Sequence, residues 1–449
     1  MRLSEESTRE GSRMFSLALS LLCVAPILRA QHLVITPDVR SDIYPAGAAI
    51  GWTITLAVGQ RASPGTYPFV VKENGARIIG SGALDLARGP ARIETSLSSP
   101  GVVIAEITPP QGSMQPFGTP NTGGPGRWRV AAAVEPTKIQ PVIPPPADFD
   151  SFWAAEIAQL ERIPMHAVLT PKESGSPDIE YATVRLDNIG GAHVYGQIAK
   201  PKRAGRFPAL LIMQWASPPY PLQRAWVADH ATEGWLAMNV EPHDVPSDMP
   251  QAFYDALPAM IRQYASLNNT DRHHNYFLQM YLGDYRAVEY LASRPDWDGR
   301  VLVANGTSMG GQQSLVVAGL NPKVSAVIVN VPAGSDALGA LHGRMPGYPF
   351  WDINNSAVVA TAPYFDVTNF ASHIKAPTLM AIGFIDDVTP AIGQWTTFNQ
   401  LAGPKEAAPM LDTPHNHLAS PTQMMPYTVR SAAWLKALAA GEPAPVNVP

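Results

Sequence analysis

The stretch that decides the fold is VLVANGTSMGG, residues 301–311, in which Gly306, Ser308 and Gly310 form a G-x-S-x-G pattern. A buried strand is predicted directly before this pattern, and a helix is predicted directly after it. In that context the serine lies on a tight strand-to-helix turn, where flanking glycines let neighbouring backbone pass close by. The pattern therefore predicts that Ser308 is a nucleophile and that the backbone N–H of Met309 stabilises an oxyanion.

Apolar runs alternate with helical stretches on both sides of this turn. Continuous apolar runs separated by helices are typical of parallel strands that are buried on both faces. The predicted strands are 208–213, 235–240, 301–304, 324–331 and 377–383, and the predicted helices include one that Asp148 caps, 276–293, 312–320 and 426–440. The predicted fold class is α/β, namely an α/β-hydrolase with a doubly wound, mostly parallel sheet.

The chain from His32 to Val134 is patterned differently, with short segments rich in Val, Ile and Thr, and no helical period. Short strands punctuated by Gly and Pro predict a small immunoglobulin-like β-sandwich. Serial prolines in 137–146 predict a stiff linker. The sequence therefore predicts four parts: a signal peptide (1–30), a β-sandwich accessory domain (31–135), a Pro-rich linker (136–147) and a catalytic domain (148–442).

Composition excludes several classes of function. The chain has 449 residues, with 32 Lys and Arg against 37 Asp and Glu, so no basic surplus favours nucleic acid or an anionic membrane. A single cysteine, Cys23, excludes a disulfide framework and a CxxC-type site. We expect no metal and no cofactor. The composition leaves the oligomeric state open.

The apolar run 15–27 near the N-terminus is too short to span a bilayer and carries no charge. It predicts a secretory signal peptide, with translation starting at Met1 or at Met14. We therefore expect a bacterial protein that is secreted or periplasmic and has no membrane partner.

A serine nucleophile needs a histidine base and an orienting acid. In an α/β-hydrolase both follow the serine in the chain, the acid first and then the histidine. Asp386 comes just after predicted strand 377–383, at the edge where ligands bind, and is preferred to Asp387 as the acid. His415 and His417 both follow in a loop before the last helix. We predict that His417 is the base and keep His415 as the reserve. These two histidines lack a third ligand, so no metal site is predicted.

The second oxyanion donor is expected in the loop after strand 208–213. The candidates are the backbone N–H groups of Trp215 and Ala216, and the Trp215 ring is also a candidate wall for the acyl pocket. His243 ends the next strand along the chain, and with His415 it is a candidate substrate contact.

Several segments resemble the acetylxylan esterase and cephalosporin-C deacetylase family of α/β-hydrolases. They are the segment 276–311, the opening helix PADFDSFWAAEI, the turn GFIDDVTP and the histidine loop. The resemblance covers roughly residues 146–440. It implies a serine esterase that deacetylates small acetylated sugars or xylan fragments, with Ser308 as nucleophile, Asp386 as acid and His417 as base in the family's Asn-His-Glu loop.

The sequence departs from this family at several positions. Met309 stands where the family has Gln, Leu418 replaces the Glu of the histidine loop, and residues 214–216 replace a His-Gly-Tyr segment. The N-terminal β domain is foreign to the family core. These differences predict retained chemistry with altered substrate contacts.

Two other interpretations remain open at this point. One is a serine peptidase similar to prolyl oligopeptidase, although about 100 N-terminal residues are too few for a propeller. The other is a surface-binding homologue with weak catalysis, although no triad member is missing.

Overall fold

The computed structural model describes residues 32–111 and 126–447. The predicted signal peptide and Cys23 lie outside these ranges. Among the described residues, no helix is long and apolar enough to cross a membrane.

The N-terminal strands form two small sheets, with strand orders β1-β3-β6 and β2-β8-β7-β4-β5. These strands are β1 (Leu33–Pro37), β2 (Ile43–Tyr44), β3 (Ala49–Leu56), β4 (Tyr67–Glu73), β5 (Arg77–Leu84), β6 (Ala91–Ser96), β7 (Gly101–Ile107) and β8 (Trp128–Val134). Apolar side chains from both sheets, including Trp52 and Trp128, form one core. The two sheets therefore make the predicted sandwich, which we call the β unit.

The remaining strands that the structure describes form a nine-stranded sheet of order β17-β16-β15-β14-β12-β13-β11-β10-β9. They are β9 (Val168–Pro171), β10 (Ile179–Asp187), β11 (His193–Pro201), β12 (Phe207–Met213), β13 (Leu236–Val240), β14 (Trp297–Thr307), β15 (Ala326–Asn330), β16 (Thr378–Gly383) and β17 (Lys405–Met410). The strands from β12 to β17 run parallel, and β9, β10 and β11 add antiparallel at one edge. The predicted fold class is confirmed.

Helices cover this large sheet, and every α-helix of the described residues lies in this part of the chain. They are α1 (Phe149–Glu161), α2 (Ala225–Thr232), α3 (Gln251–Asp255), α4 (Tyr276–Ser293), α5 (Met309–Leu320), α6 (Ser356–Thr361), α7 (Val367–Ala371), α8 (Ala391–Gln400) and α9 (Met425–Ala439). We call this part the hydrolase unit. Asp148 precedes α1 but makes no capping bond; its carboxylate accepts from Arg272 and from the Tyr364 hydroxyl instead.

The β unit shares a core with the hydrolase unit. Every residue of β7 and β8 is buried. On one face of these strands, Val103 and Val130 belong to the sandwich core. On the other face, Ile104 and Ala131 belong to the main core of the hydrolase unit. The β unit is therefore packed onto the hydrolase unit rather than tethered beside it.

The segment predicted as a stiff linker is also packed. Ile139 is buried, and the side-chain amide of Asn399 in α8 donates to the carbonyls of Pro136 and Ile139, at 2.8 Å each. Arg344 donates to the carbonyl of Gln140, also at 2.8 Å. Residues 136–140 therefore join the two units by direct contacts and do not act as a free spacer.

The shared core predicts that the two units unfold together. Replacing Ile104 with Ala opens a cavity in the main core and should cost about 2–5 kcal/mol of unfolding free energy. Since the α-helices lie in the hydrolase unit, the thermal midpoint of the helical circular dichroism signal should fall. The matched control is Val58→Ala at a fully exposed position of the same β unit. An unchanged helical midpoint in Ile104→Ala would show that the units are independent.

Candidate active site

Ser308 lies at the junction of β14 and α5 in a strained backbone conformation, with φ 57° and ψ −121°. Non-glycine residues adopt such angles only where the surroundings hold them. Here the Ser308 N–H donates to the Asn330 carbonyl of β15 at 2.9 Å, and the Ser308 carbonyl accepts from the Ala333 N–H at 3.0 Å. The backbone on both sides of the serine is thus anchored, on one side to β15 and on the other to the segment that follows it.

The glycines on either side of Ser308 are required by close backbone contacts. A Cβ atom on Gly306 would lie 2.2 Å from the carbonyl carbon of Gly310. A Cβ atom on Gly310 would lie 2.3 Å from the Met213 carbonyl oxygen, at the end of β12. The G-x-S-x-G pattern is therefore used here as the sequence predicts, to let three backbone segments meet.

Ser308, His415 and Asp386 form a continuous hydrogen-bonded line. The Ser308 hydroxyl donates to His415 Nε2 at 2.9 Å, and His415 Nδ1–H donates to Asp386 Oδ2 at 2.7 Å. Exposure is only 4 % for Ser308, 4 % for His415 and 1 % for Asp386. This is the arrangement in which a histidine accepts the serine proton while a carboxylate fixes its tautomer.

The prediction that His417 contacts the serine is wrong, because His415 occupies that place. The chain forms a single 3-10 turn at Asn416–Leu418 just after His415, and this turn carries His417 to the exposed surface. The His417 ring lies against the edge of the His415 ring, with centroids 5.4 Å apart. The Asn416-His417 match to the family loop therefore does not mark the histidine that binds Ser308, which lies two residues earlier in the chain. His415, which was also a candidate substrate contact, is committed to Ser308 and Asp386.

The turn 386–389, which we call the acid turn, fixes the Asp386 carboxylate. Its Oδ1 accepts the backbone N–H groups of Val388 and Thr389, each at 2.8 Å. Its Oδ2 accepts the Thr389 hydroxyl at 2.8 Å in addition to the His415 ring. Thr389 was not singled out from the sequence, although an Asp followed three residues later by Thr is a typical side-chain-to-backbone turn motif.

Asp387, the alternative acid, points to a different partner. Its carboxylate forms an ion pair with Arg129 of β8 at 2.8 Å. The preference for Asp386 over Asp387 therefore agrees with the side-chain contacts of both residues.

The loop after β12 lies against the N-terminal end of α5. The Gln313 side-chain amide donates to the carbonyls of Gln214 and Met309, at 3.0 and 3.2 Å, and so ties the loop to the helix. Trp215 and Ala216 follow Gln214 in this loop, and Met309 is the first residue of α5. The expectation that their N–H groups complete the oxyanion site, with that of Met309, remains a prediction.

The side chains of the two loop candidates differ in exposure. The Trp215 ring is 40 % exposed, stacks on Tyr220 and meets the edge of Trp226, whereas Ala216 packs on the main core. Trp215 is therefore a rigid aromatic surface that stays open to solvent.

His243 does not have a ring nitrogen free for a substrate. It is buried, its Nε2–H donates to the Ser217 carbonyl at 2.8 Å, and its Nδ1 accepts from the Tyr276 hydroxyl at 2.5 Å. Burial lowers the pKa of His243 to about 4, so the ring is neutral near pH 7. The prediction of a substrate contact is corrected: His243 supports the loop that carries Trp215 and Ala216.

Two carboxyl groups of the hydrolase unit are also buried. Burial raises the pKa values of Glu241 and Asp284 well above the usual range. No group of three or more His, Cys, Asp or Glu side chains among the described residues is arranged to hold a metal ion.

Comparisons with known proteins identify a family for this chain. The acetyl xylan esterase family model matches residues 137–342 and 347–435, more than half of the chain. The chain is also similar to acetyl esterase Axe7A of Xylanibacter ruminicola, with 31 % identity over 428 residues that cover 92 % of this chain and 94 % of that protein.

Solved structures show a related fold. An acetyl xylan esterase from Paenibacillus sp. R4 is similar at a TM-score of 0.58 and 25 % identity. Acetyl xylan esterase 1 from Thermoanaerobacterium sp. JW/SL YS485 is similar at a TM-score of 0.55 and 19 % identity, which is a likeness of fold. Each comparison covers 68 % of this chain and 98 % of the other chain.

The neutral state of His243 predicts a loss of stability in acid. Its pKa is about 4 in the folded chain against 6.5 as its ordinary value. Between these two values the unfolded chain binds the proton and the folded chain does not, so stability is full above pH 6.5 and falls toward pH 4. The loss attributable to this ring is on the order of 3 kcal/mol.

The variant His243→Gln keeps a donor for the Ser217 carbonyl and has no proton to take up. Its free energy of unfolding in urea should therefore change less than that of the wild type between pH 6.5 and pH 4. The control is His342→Gln, at an exposed histidine. Parallel curves for the wild type and His243→Gln would contradict this role.

Proposed function

Because the chain belongs to the acetyl xylan esterase family of carboxylic-ester hydrolases, we propose that it deacetylates small acetylated carbohydrates, including xylan-derived oligosaccharides, through Ser308, His415 and Asp386. The resemblance inferred from the sequence is confirmed at the level of the family. The observation that carries the proposal is the hydrogen-bonded line from the Ser308 hydroxyl through the His415 ring to the Asp386 carboxylate.

The reaction proceeds in two halves. In the first, His415 Nε2 takes the Ser308 proton as Oγ attacks the ester carbonyl, and Asp386 stabilises the imidazolium. The tetrahedral oxyanion is held by the N–H groups of Met309 and of the loop after β12. His415 then gives its proton to the departing alcohol, which leaves an acyl-serine.

In the second half, a water molecule replaces the alcohol. His415 takes a proton from this water as it attacks the acyl-serine carbonyl, and it returns the proton to Ser308 as the carboxylic acid leaves. Both proton transfers are carried by the same imidazole, so the proposal uses no cofactor.

Two observations favour a small acyl group and a sugar alcohol. Ser308 is only 4 % exposed, and we take this restricted access to favour a small acyl group over a bulky one. The exposed ring of Trp215 offers a flat apolar surface on which the C–H face of a sugar can pack. The names of similar proteins point the same way, since they are acetyl and acetyl xylan esterases.

Export across the cytoplasmic membrane, by a signal peptide in residues 1–30, is part of the proposal and rests on the sequence.

The triad is tested with p-nitrophenyl acetate as substrate. Ser308→Ala and His415→Gln should each lower kcat by about 10³-fold or more, because the triad acts as a unit. His417→Gln is the matched control, two residues away in the same loop, and should stay within about threefold of the wild type. Activity lost in His417→Gln and kept in His415→Gln would overturn the assignment of the base. A wild type no faster than Ser308→Ala would overturn the esterase proposal.

Substrate class is tested with a panel on the wild-type enzyme. Hydrolysis should fall in the order acetate, butyrate, octanoate among p-nitrophenyl esters, because we take the restricted access to Ser308 to disfavour long chains. Acetylated xylo-oligosaccharides should release acetate at a rate that exceeds the rate with Ser308→Ala. A peptide p-nitroanilide cleaved faster than any ester would favour the peptidase alternative. Uniformly weak turnover of every substrate would favour the surface-binding homologue.

A further inference from the structure

One residue of the β unit reaches the acid turn. Arg129 in β8 forms an ion pair with the Asp387 carboxylate at 2.8 Å, and the Arg129 side chain is only 6 % exposed. Asp387 directly follows Asp386 in the chain. The guanidinium group therefore binds the residue next to the acid that orients the catalytic histidine.

The Arg129 side chain is itself held in place. Its Nε–H donates to Glu106 of β7 at 3.1 Å, and Glu106 pairs with Arg129 directly across the two strands. Lys72 and Arg127 bind the same carboxylate, at 2.8 Å each. Burial opposes ionisation of Glu106, but these partners hold its pKa below the usual range. The buried Glu106 carboxylate thus orients the guanidinium group of Arg129, which also binds Asp387.

A second contact of the β unit leads to the same turn. The Asn74 carbonyl, in the β4–β5 turn, accepts the Met345 N–H at 2.8 Å. Three residues later, the Tyr348 N–H donates to the Val388 carbonyl at 2.7 Å. The two contacts therefore converge on neighbouring residues of the acid turn, Asp387 through its side chain and Val388 through its backbone.

The position of this turn determines the direction of the catalytic carboxylate. Asp386 receives both backbone bonds to Oδ1 from Val388 and Thr389, which lie within the same four residues. A shift of the turn would therefore carry the carboxylate away from the His415 ring. Shifts of about 1 Å in catalytic groups can cost about 100-fold in rate.

We propose that Arg129 is a positioning residue, by which the β unit holds the acid turn so that Asp386 meets His415. The proposal rests on the function proposed above for the triad. The β unit is then a working part of the catalytic centre, rather than a separate module for attachment to carbohydrate.

Three variants test the proposal from both sides of the contact. Arg129→Met removes the guanidinium, Asp387→Asn removes its partner, and the double variant removes both charges. The matched control is Arg127→Met, which removes another arginine bound to Glu106 but makes no contact with Asp387. Arg129→Lys serves as a partial rescue, since an ammonium group keeps the positive charge that pairs with Asp387 but cannot bind both carboxylates in the geometry of a guanidinium group.

The expected result is a fall in kcat for p-nitrophenyl acetate of about 10- to 100-fold in both single variants, with KM little changed. The double variant should be no slower than the slower single variant, because both changes break one contact. Arg129→Lys should recover part of the loss, and Arg127→Met should keep wild-type kcat. Rates are expressed for each active site titrated by acyl-enzyme formation, so that unfolded protein does not count.

The pH profile separates positioning from a simple effect of charge. If Arg129 and Asp387 acted only through their charges, the acidic limb of kcat/KM would move to lower pH in Asp387→Asn and to higher pH in Arg129→Met. The double variant would then return to wild-type rates. That outcome, or wild-type kcat in both single variants, would overturn the proposal.

The remaining outcomes are also decisive. A lower thermal midpoint with unchanged kcat per titrated site would show a merely structural contact, and would overturn positioning. If Arg129→Met does not fold, Asp387→Asn decides alone, because it leaves Arg129 paired with Glu106 and changes a side chain that is 29 % exposed. A wild type without esterase activity would overturn the proposed function instead, so the two failures are distinguishable.

Discussion

The catalytic geometry depends on the strained backbone of Ser308. Its positive φ costs a residue with a side chain about 1–3 kcal/mol and persists only where surrounding contacts determine it. Bonds to Asn330 of β15 and to Ala333 in the segment after it anchor both sides of the turn, and Gly306 and Gly310 remove the side chains that would collide there. Because β14, β15 and β16 are parallel, the edge that holds this turn also carries Asp386. The carboxyl end of the sheet thus supplies both the proposed nucleophile and its proposed acid.

The part of the site that follows local rules was predictable from the sequence. Ser308 belongs to a short pattern with a steric reason, and Asp386 follows a strand at its carboxyl end. The histidine has no such local signature, since His415 and His417 lie in one loop and both satisfy the chain order. The choice depends on which way the turn Asn416–Leu418 faces, and that is set by tertiary packing. Sequence alone therefore leaves two candidates, and the structure brings His415, not the preferred His417, to Ser308.

The strands of the fold also divide into those that the sequence predicts and those that it does not. Continuous apolar runs identify strands buried on both faces, so the centre of the large sheet was predictable. The edge strands β9 and β17 and the antiparallel strands β10 and β11 are not predicted by the sequence, because they mix polar and apolar residues, as in KEAAPM for β17. Strands β7 and β8, GVVIAEI and WRVAAAV, have the same near-continuous apolar pattern as the central strands. Such a pattern is typical of burial on both faces, but it does not tell which part of the chain covers the outer face, so the sequence predicts only a separate sandwich.

The apolar pattern of β7 and β8 is interrupted by charged residues, and these bear on how the two units are aligned. Each strand contains one charged residue, Glu106 and Arg129, and these two are paired across the sheet. A buried ion pair adds little net stability, because desolvation offsets the attraction, but breaking one partner is costly. The apolar side chains around it supply the stability of the interface and tolerate small shifts. A guanidinium fork aimed at Asp387 tolerates far less, since it binds only within hydrogen-bond distance. The apolar contact therefore holds the units together, and under the proposal made for Arg129 its ion pair with Asp387 sets their alignment at the acid turn.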